Sequence, residues 1–182
     1  MKRSAVVIAL LLPILLLGCD GKKVAQVPPP HRLTADLIGR YCGMNVLEHS
    51  GPKAQIFVAS LIEPMWFSSA RDAIAFTLLP EESKDIEAIY VSDMGKAPSW
   101  EKPGADNWVE ARKALFVIGS RVKGGMGGEE AVPFSERAAA EKFVAENGGR
   151  IVSFAEVPSE YVLGAAGEGS EREAATGRVP TD

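Results

Sequence analysis

"FSSARDAIAF", residues 67–76, and "FSERAAAEKF", residues 134–143, share one pattern: Phe opens each, Ser stands second, Ala seventh, and Phe closes. Ser68 and Ser135 stand where a side-chain oxygen can cap a helix start. Ala70, Ala73, Ile74 and Thr77 in the first stretch, and Ala138, Ala139 and Phe143 in the second, recur at helical spacing. Each stretch therefore predicts a short amphipathic helix. Leu79-Pro80 ends the first and Asn147-Gly148-Gly149 the second, because proline cannot continue a helix and glycine readily takes the left-handed geometry of a C-terminal stop.

Outward from each helix the pattern repeats. "AQIFVASLI" (54–62) and "ALFVIGSRV" (114–122) precede the helices, and "IEAIYVSD" (86–93) and "RIVSFAEV" (150–157) follow them. All four are rich in β-branched and aromatic residues and predict strands. Strand, helix, strand is thus written twice, which predicts an α+β fold of two related halves, about 54–93 and 111–157, packed through one shared interface. Between them "GKAPSWEKPGADNW" (95–108) is a connection whose two tryptophans are expected to cover a core edge.

The ends read differently. Met1-Lys2-Arg3-Ser4 is cationic, and Ala5 to Leu17 is an apolar run of thirteen residues, about 20 Å as a helix. A bilayer core needs about 20 such residues, so residues 1–18 read as an export signal and not as a membrane span. Leu16-Leu17-Gly18-Cys19 resembles a bacterial lipobox, which makes Cys19 the lipidated first residue after cleavage. A multiply acylated residue holds a chain on a membrane. Asp20 beside it resembles an inner-membrane retention signal, and the expected location is the periplasmic side of a bacterial membrane. Residues 19–32, with Pro28-Pro29-Pro30, read as a flexible tether. Residues 164–182, rich in Gly, Ala, Ser and Glu, read as a disordered tail. Residues 33–163 remain for one globular domain, enough to bury a core.

The formal charge of −4 becomes −6 once Lys2 and Arg3 are removed, and no basic patch marks the folded part, so nucleic acid is excluded as a partner. The chain has two cysteines. With Cys19 acylated, Cys42 is a lone thiol in an oxidising compartment, which points to intermolecular pairing or to a reactive or ligating sulfur. Nucleotide-binding GxxxxGK[ST], zinc-protease HExxH and hydrolase GxSxG patterns are absent. Cys42 and His49 offer the start of a hydrolase pair, but no third group or oxyanion site accompanies them.

Methionine is usually core filler, and Met65 and Met94 read that way. Met126 does not, because "KGGMGGEE" (123–130) surrounds it with glycines and offers nothing apolar to pack against. Cys42-Gly43-Met44, read as an extended segment, puts both sulfurs on one face. One thiolate and two thioethers are soft donors that select Cu(I) over zinc, magnesium or calcium. A Cu(I) site of Cys42, Met44 and Met126 also accounts for the lone thiol, since a bound metal shields it from oxidation.

"YCGMNV", "AQIFV", "WVEARKALFVIGSRVKGGMGGEEAVPF" and "AAAEKFVAENGGRIVSFAEV" together resemble the NosL family of accessory lipoproteins of nitrous oxide reductase. The resemblance spans almost all of residues 33–158. It implies two related ββαβ halves in an organomercurial-lyase-like arrangement, and a Cu(I) chaperone, not an enzyme, that serves assembly of the reductase's copper-sulfide centre. By motif it places Cys42 and Met126 as metal ligands, Met44 as the methionine of C-G-M, and His49 as a possible nitrogen donor. Its implied partners are the reductase maturation machinery, a periplasmic accessory protein with an ABC-type transporter. Where many relatives carry another cysteine before the first helix, this chain has "WFSSARD". Two other readings stand beside this one: an organomercurial-lyase-like enzyme, and a structural adaptor without metal.

Overall fold

The computed structural model describes residues 27–164. Seven strands form two antiparallel sheets. β1 (Ala54–Val58), β2 (Met65–Phe67), α1 (Ala70–Leu78) and β3 (Ile86–Ser92) make the first half, and β4 (Trp108–Glu110) extends its sheet to the order β2-β1-β3-β4. β5 (Leu115–Ile118), β6 (Val132–Phe134), α2 (Arg137–Asn147) and β7 (Arg150–Ser153) make the second, ordered β6-β5-β7. A short α3 (Ser159–Leu163) closes the described chain. Both halves are therefore ββαβ units with the first strand in the middle, and the α+β expectation holds.

The halves superpose by register. Ala54 of β1 faces Phe67, and Leu115 of β5 faces Phe134, so each central strand pairs with the phenylalanine that opens the repeated motif. One cluster spans both halves, with Ile56, Phe67, Phe76 and Val91 packed together with Phe116, Ile118 and Val152. This is the shared interface. Fully burying aromatic and branched side chains of this kind contributes about 1.5–3 kcal/mol each.

The helices start later than the motif suggests. Ser69, not Ser68, caps α1, accepting from the Asp72 amide. In the second half Ser135 caps nothing: its hydroxyl donates to Asp93, and Glu136 stands at the cap position without a side-chain bond. α1 buries Ala70, Ala73, Ile74, Ala75 and Phe76. α2 buries only Ala140, while Ala138 faces solvent.

The strands are shorter than their apolar runs. β1 stops at Val58 because residues 59–62 turn back toward β2, leaving Ile62 95% exposed. β7 gives way at Phe154–Glu156 to a 3-10 turn. Pro133 lies in β6, an edge strand, where its missing N–H costs no ladder bond. Trp108 packs on Trp66 at the margin of a small cluster with Leu33 and Val46, and Trp100 joins the cluster around Phe134, as expected of edge covers.

Residues 28–32 are not a free tether. Tyr90 Oη donates to the Pro28 carbonyl at 2.8 Å, and the His31 backbone exchanges two bonds with the Gln55 side chain. An open polyproline segment carries unpaired carbonyls, and here the side chains of Tyr90 and Gln55 take those of Pro28 and His31. The export signal, the lipobox and the tail beyond residue 164 lie outside the described residues.

Candidate metal centre

Cys42 sits in a turn, not in an extended segment. Gly39 N–H donates to the Met44 carbonyl and Gly43 N–H to the Gly39 carbonyl, so residues 39–44 close on themselves. Gly43 has φ +64°, a left-handed conformation that a side chain disfavours. The glycine of C-G-M is thus required by the reversal and not by the pinching of two sulfurs on one strand face. Cys42 Sγ lies 3.3 Å from Ser68 Oγ. Gly39 leaves room for it, since a Cβ there would lie 2.6 Å from the sulfur. Met44, two residues on, is 43% exposed.

Met126 arrives from the second half. The β5–β6 connection, residues 119–131, folds over the start of α1. Met126 lines a cavity of about 230 Å³ with Ser69, Arg71, Asp72, Glu129 and Glu130, and remains 48% exposed. Gly125 beside it runs against the backbone of residues 49 and 50: a Cβ there would lie 2.6 Å from Ser50 N and 2.7 Å from His49 Cβ. Cys42 and Met126 are therefore each placed beside the neighbouring residues Ser68 and Ser69. Met65 and Met94 pack at the margins of hydrophobic clusters, as core methionines do.

His49 is half-buried, not a solvated turn residue, and its Nε2 is buried without a protein partner. Buried polar atoms are almost always bonded, so this nitrogen is a free donor site beside the Met126 loop. Among the described residues no three His, Cys, Asp or Glu side chains group as a metal cage. Near the start of α1 the sulfur of Cys42 lies beside Ser68, and Met126 lines the cavity at Ser69 together with Asp72, Glu129 and Glu130. A larger cleft of about 680 Å³, lined by Arg71, Ile118, Arg150 and Tyr161 among others, contains no sulfur donor.

Two buried charges escape a reading of sequence pattern. Glu130 closes the Met126 loop. Its Oε1 accepts from Ser69 Oγ at 3.1 Å, Arg71 N at 2.9 Å and Ala131 N at 2.9 Å, tying loop to helix, while Oε2 has no partner. Burial pushes its carboxyl up to about 7, against the pull of those bonds. Lys53, immediately before β1, is fully buried, and burial pushes its ammonium down to about 8, opposed by the charges of Glu130 and Cys42. Both residues adjoin apolar strands in the sequence, and nothing in composition marks them as internal.

A two-sheet α+β protein with one free thiol among the described residues and an exposed methionine loop, both beside the start of α1, defines the class. The chain belongs to the NosL family, whose model matches residues 30–162. It is 46% identical over 157 residues to a protein of Achromobacter cycloclastes named copper-binding lipoprotein NosL, covering 86% of this chain and 81% of that one. A protein of Stutzerimonas stutzeri with the same name is 30% identical over 164 residues, covering 90% and 84%. The crystal structure of the copper chaperone NosL from Shewanella denitrificans matches with a TM-score of 0.67 at 34% identity, covering 71% of this chain and 97% of that one.

Proposed function

We propose that this protein is a lipid-anchored copper chaperone that carries Cu(I) on Cys42, Met44 and Met126 and delivers it on the periplasmic side of a membrane for assembly of the copper-sulfide centre of nitrous oxide reductase. The observation that carries the reading is the convergence of Cys42 and the Met126 loop on Ser68-Ser69. It joins a thiolate donor from one half to a thioether donor from the other, the soft set that prefers Cu(I). The partnerless Nε2 of His49 supports a nitrogen donor at the same place. Names of the family relatives support copper as the cargo and Cys19 as a lipid attachment point.

Half-exposed thioethers suit a carrier. An acceptor's ligand can displace Met44 or Met126 while Cys42 still holds the ion, so copper passes without becoming free. A lipid anchor keeps the donor near its acceptor, as linkage does for tandem modules. The receiving machinery is proposed to be a periplasmic accessory protein with an ABC-type transporter. Organomercurial cleavage needs a pair of thiols, and Cys42 is the free cysteine among the described residues. A non-enzymatic role therefore fits the donor set better.

Titration of Cu(I) against a strong competing chelator tests the site. Wild type is expected to bind one ion, Cys42→Ser to lose binding, and Met126→Ala to bind more weakly. Variants that both compete as well as wild type would show the donors to be misassigned.

A further inference from the structure

Lys53 contributes no soft donor, yet it bonds the backbone on which the Cys42 thiol and the Met126 loop rest. Its Nζ donates to the carbonyl oxygens of Gly51 at 2.8 Å, Ser50 at 3.2 Å and Ser68 at 3.4 Å. Ser68 is the residue whose hydroxyl meets Cys42 Sγ at 3.3 Å. Ser50 is the residue against which the loop backbone at Gly125 packs, one position before Met126. Gly51 is fixed from its other side by donating to the Trp100 carbonyl at 2.7 Å. Behind the strand start, Lys53 itself is anchored by its own N–H to Ser92 Oγ at 3.0 Å and its carbonyl to Ser92 N at 2.9 Å.

We propose that Lys53 is the positioning residue of the copper site, a buried ammonium that sets the spacing between the Cys42 turn and the Met126 loop by holding the carbonyls of Ser50, Gly51 and Ser68 together. The inference rests on the copper reading above. The duplicated fold supplies an internal control. By register, Ala54 and Leu115 are counterparts, since each faces the phenylalanine that opens the helix motif. The counterpart of Lys53 is then Ala114, also buried. The same strand pair forms there around a methyl group, so the architecture does not itself require a cation at this position. Burying a lysine costs several kcal/mol unless it is bonded. The half that keeps one is the half that holds the thiol.

Lys53→Met keeps the length and removes the donor. Gly125→Ala leaves Lys53 and the core in place but pushes the loop off Ser50, because its Cβ has no room there. Each is titrated with Cu(I) against a competing chelator, alone and combined with Met126→Ala, beside wild type and Cys42→Ser. Copper-edge X-ray absorption counts the sulfur neighbours. Each variant is expected to lose about 10- to 100-fold in affinity, the range for residues that orient metal ligands, with one sulfur fewer at the metal. In the Met126→Ala background the loss should nearly vanish, as coupled residues require.

Wild-type affinity and sulfur count in Lys53→Met, or a loss that adds in full to that of Met126→Ala, would overturn the positioning role. Should Lys53→Met fail to fold, Gly125→Ala decides by the same two criteria. Wild type that binds while Cys42→Ser does not, with both new variants matching wild type, rejects the positioning role alone. Wild type that does not bind Cu(I) rejects the copper reading and this inference together.

Discussion

Helices α1 and α2 occupy the same place in two ββαβ units. α1 is core along five of its nine residues, whereas α2 sinks a single alanine, Ala140. The surrounding residues diverge in step. Glu130 is buried at the foot of the Met126 loop, and its counterpart by register, Glu63, is an exposed acid paired with His31 at 3.3 Å. The residues between β1 and β2 number six (59–64), those between β5 and β6 thirteen (119–131). The long loop bonds the end of α2 in its own half through Arg121. It reaches across to Ser69 and Arg71 at the start of α1. One unit thus serves as the platform and the other as the donor of a reaching loop, with Ser69 and Glu130 buried where they meet.

The asymmetry can be broken most sharply in the core. Phe76 and Phe143 close the two repeated motifs, and Phe76 is fully buried whereas Phe143 is not. Phe76→Ala is expected to cost about 3–5 kcal/mol, and Phe143→Ala about 1 kcal/mol, read as shifts of the urea midpoint at constant slope. Equal losses would show that α2 bears on the core as much as α1.

A smaller effect separates the helix starts. Ser69→Ala removes the α1 cap and one donor to Glu130, and should cost about 1–2 kcal/mol. Glu136→Ala, at a cap position with no side-chain bond, should stay within about 0.5 kcal/mol.

A different kind of effect is a slope with pH. Glu130 has a folded value of about 7 against an ordinary 4.5, so between these the folded chain binds more protons than the unfolded one. Its stability contribution therefore falls as pH rises from about 4.5 to about 7. Glu130→Gln keeps an oxygen for the three donors and should flatten the fall. An unaltered slope in Glu130→Gln would mean that another group titrates there.

How much was legible follows the same division. The repeat announced both helices because Phe67, Ala73 and Phe76, and in the second half Phe134 and Ala140, are held in place by burial, and the central strands because their runs are β-branched and aromatic. β2, β6 and β4, at three residues each, are too short for any period to show and are recognisable only through their partners. Cap assignment failed by one residue in the first half because two serines stand in tandem, and failed outright in the second because Asp93, distant in sequence, takes Ser135. The sulfur donors stood out as residue types in unsuitable company. Lys53 and Glu130 did not, since their roles depend on carbonyls and amides brought together only by folding.

The hydrophobic cluster that runs from Ile56 and Phe76 to Phe116 and Val152 belongs to neither half alone. A nascent chain that has completed only residues up to 93 presents an apolar face with nothing to lie on, and such surfaces self-associate. The two halves are accordingly expected to unfold together in one step, and a fragment ending at residue 93 to be unstable alone.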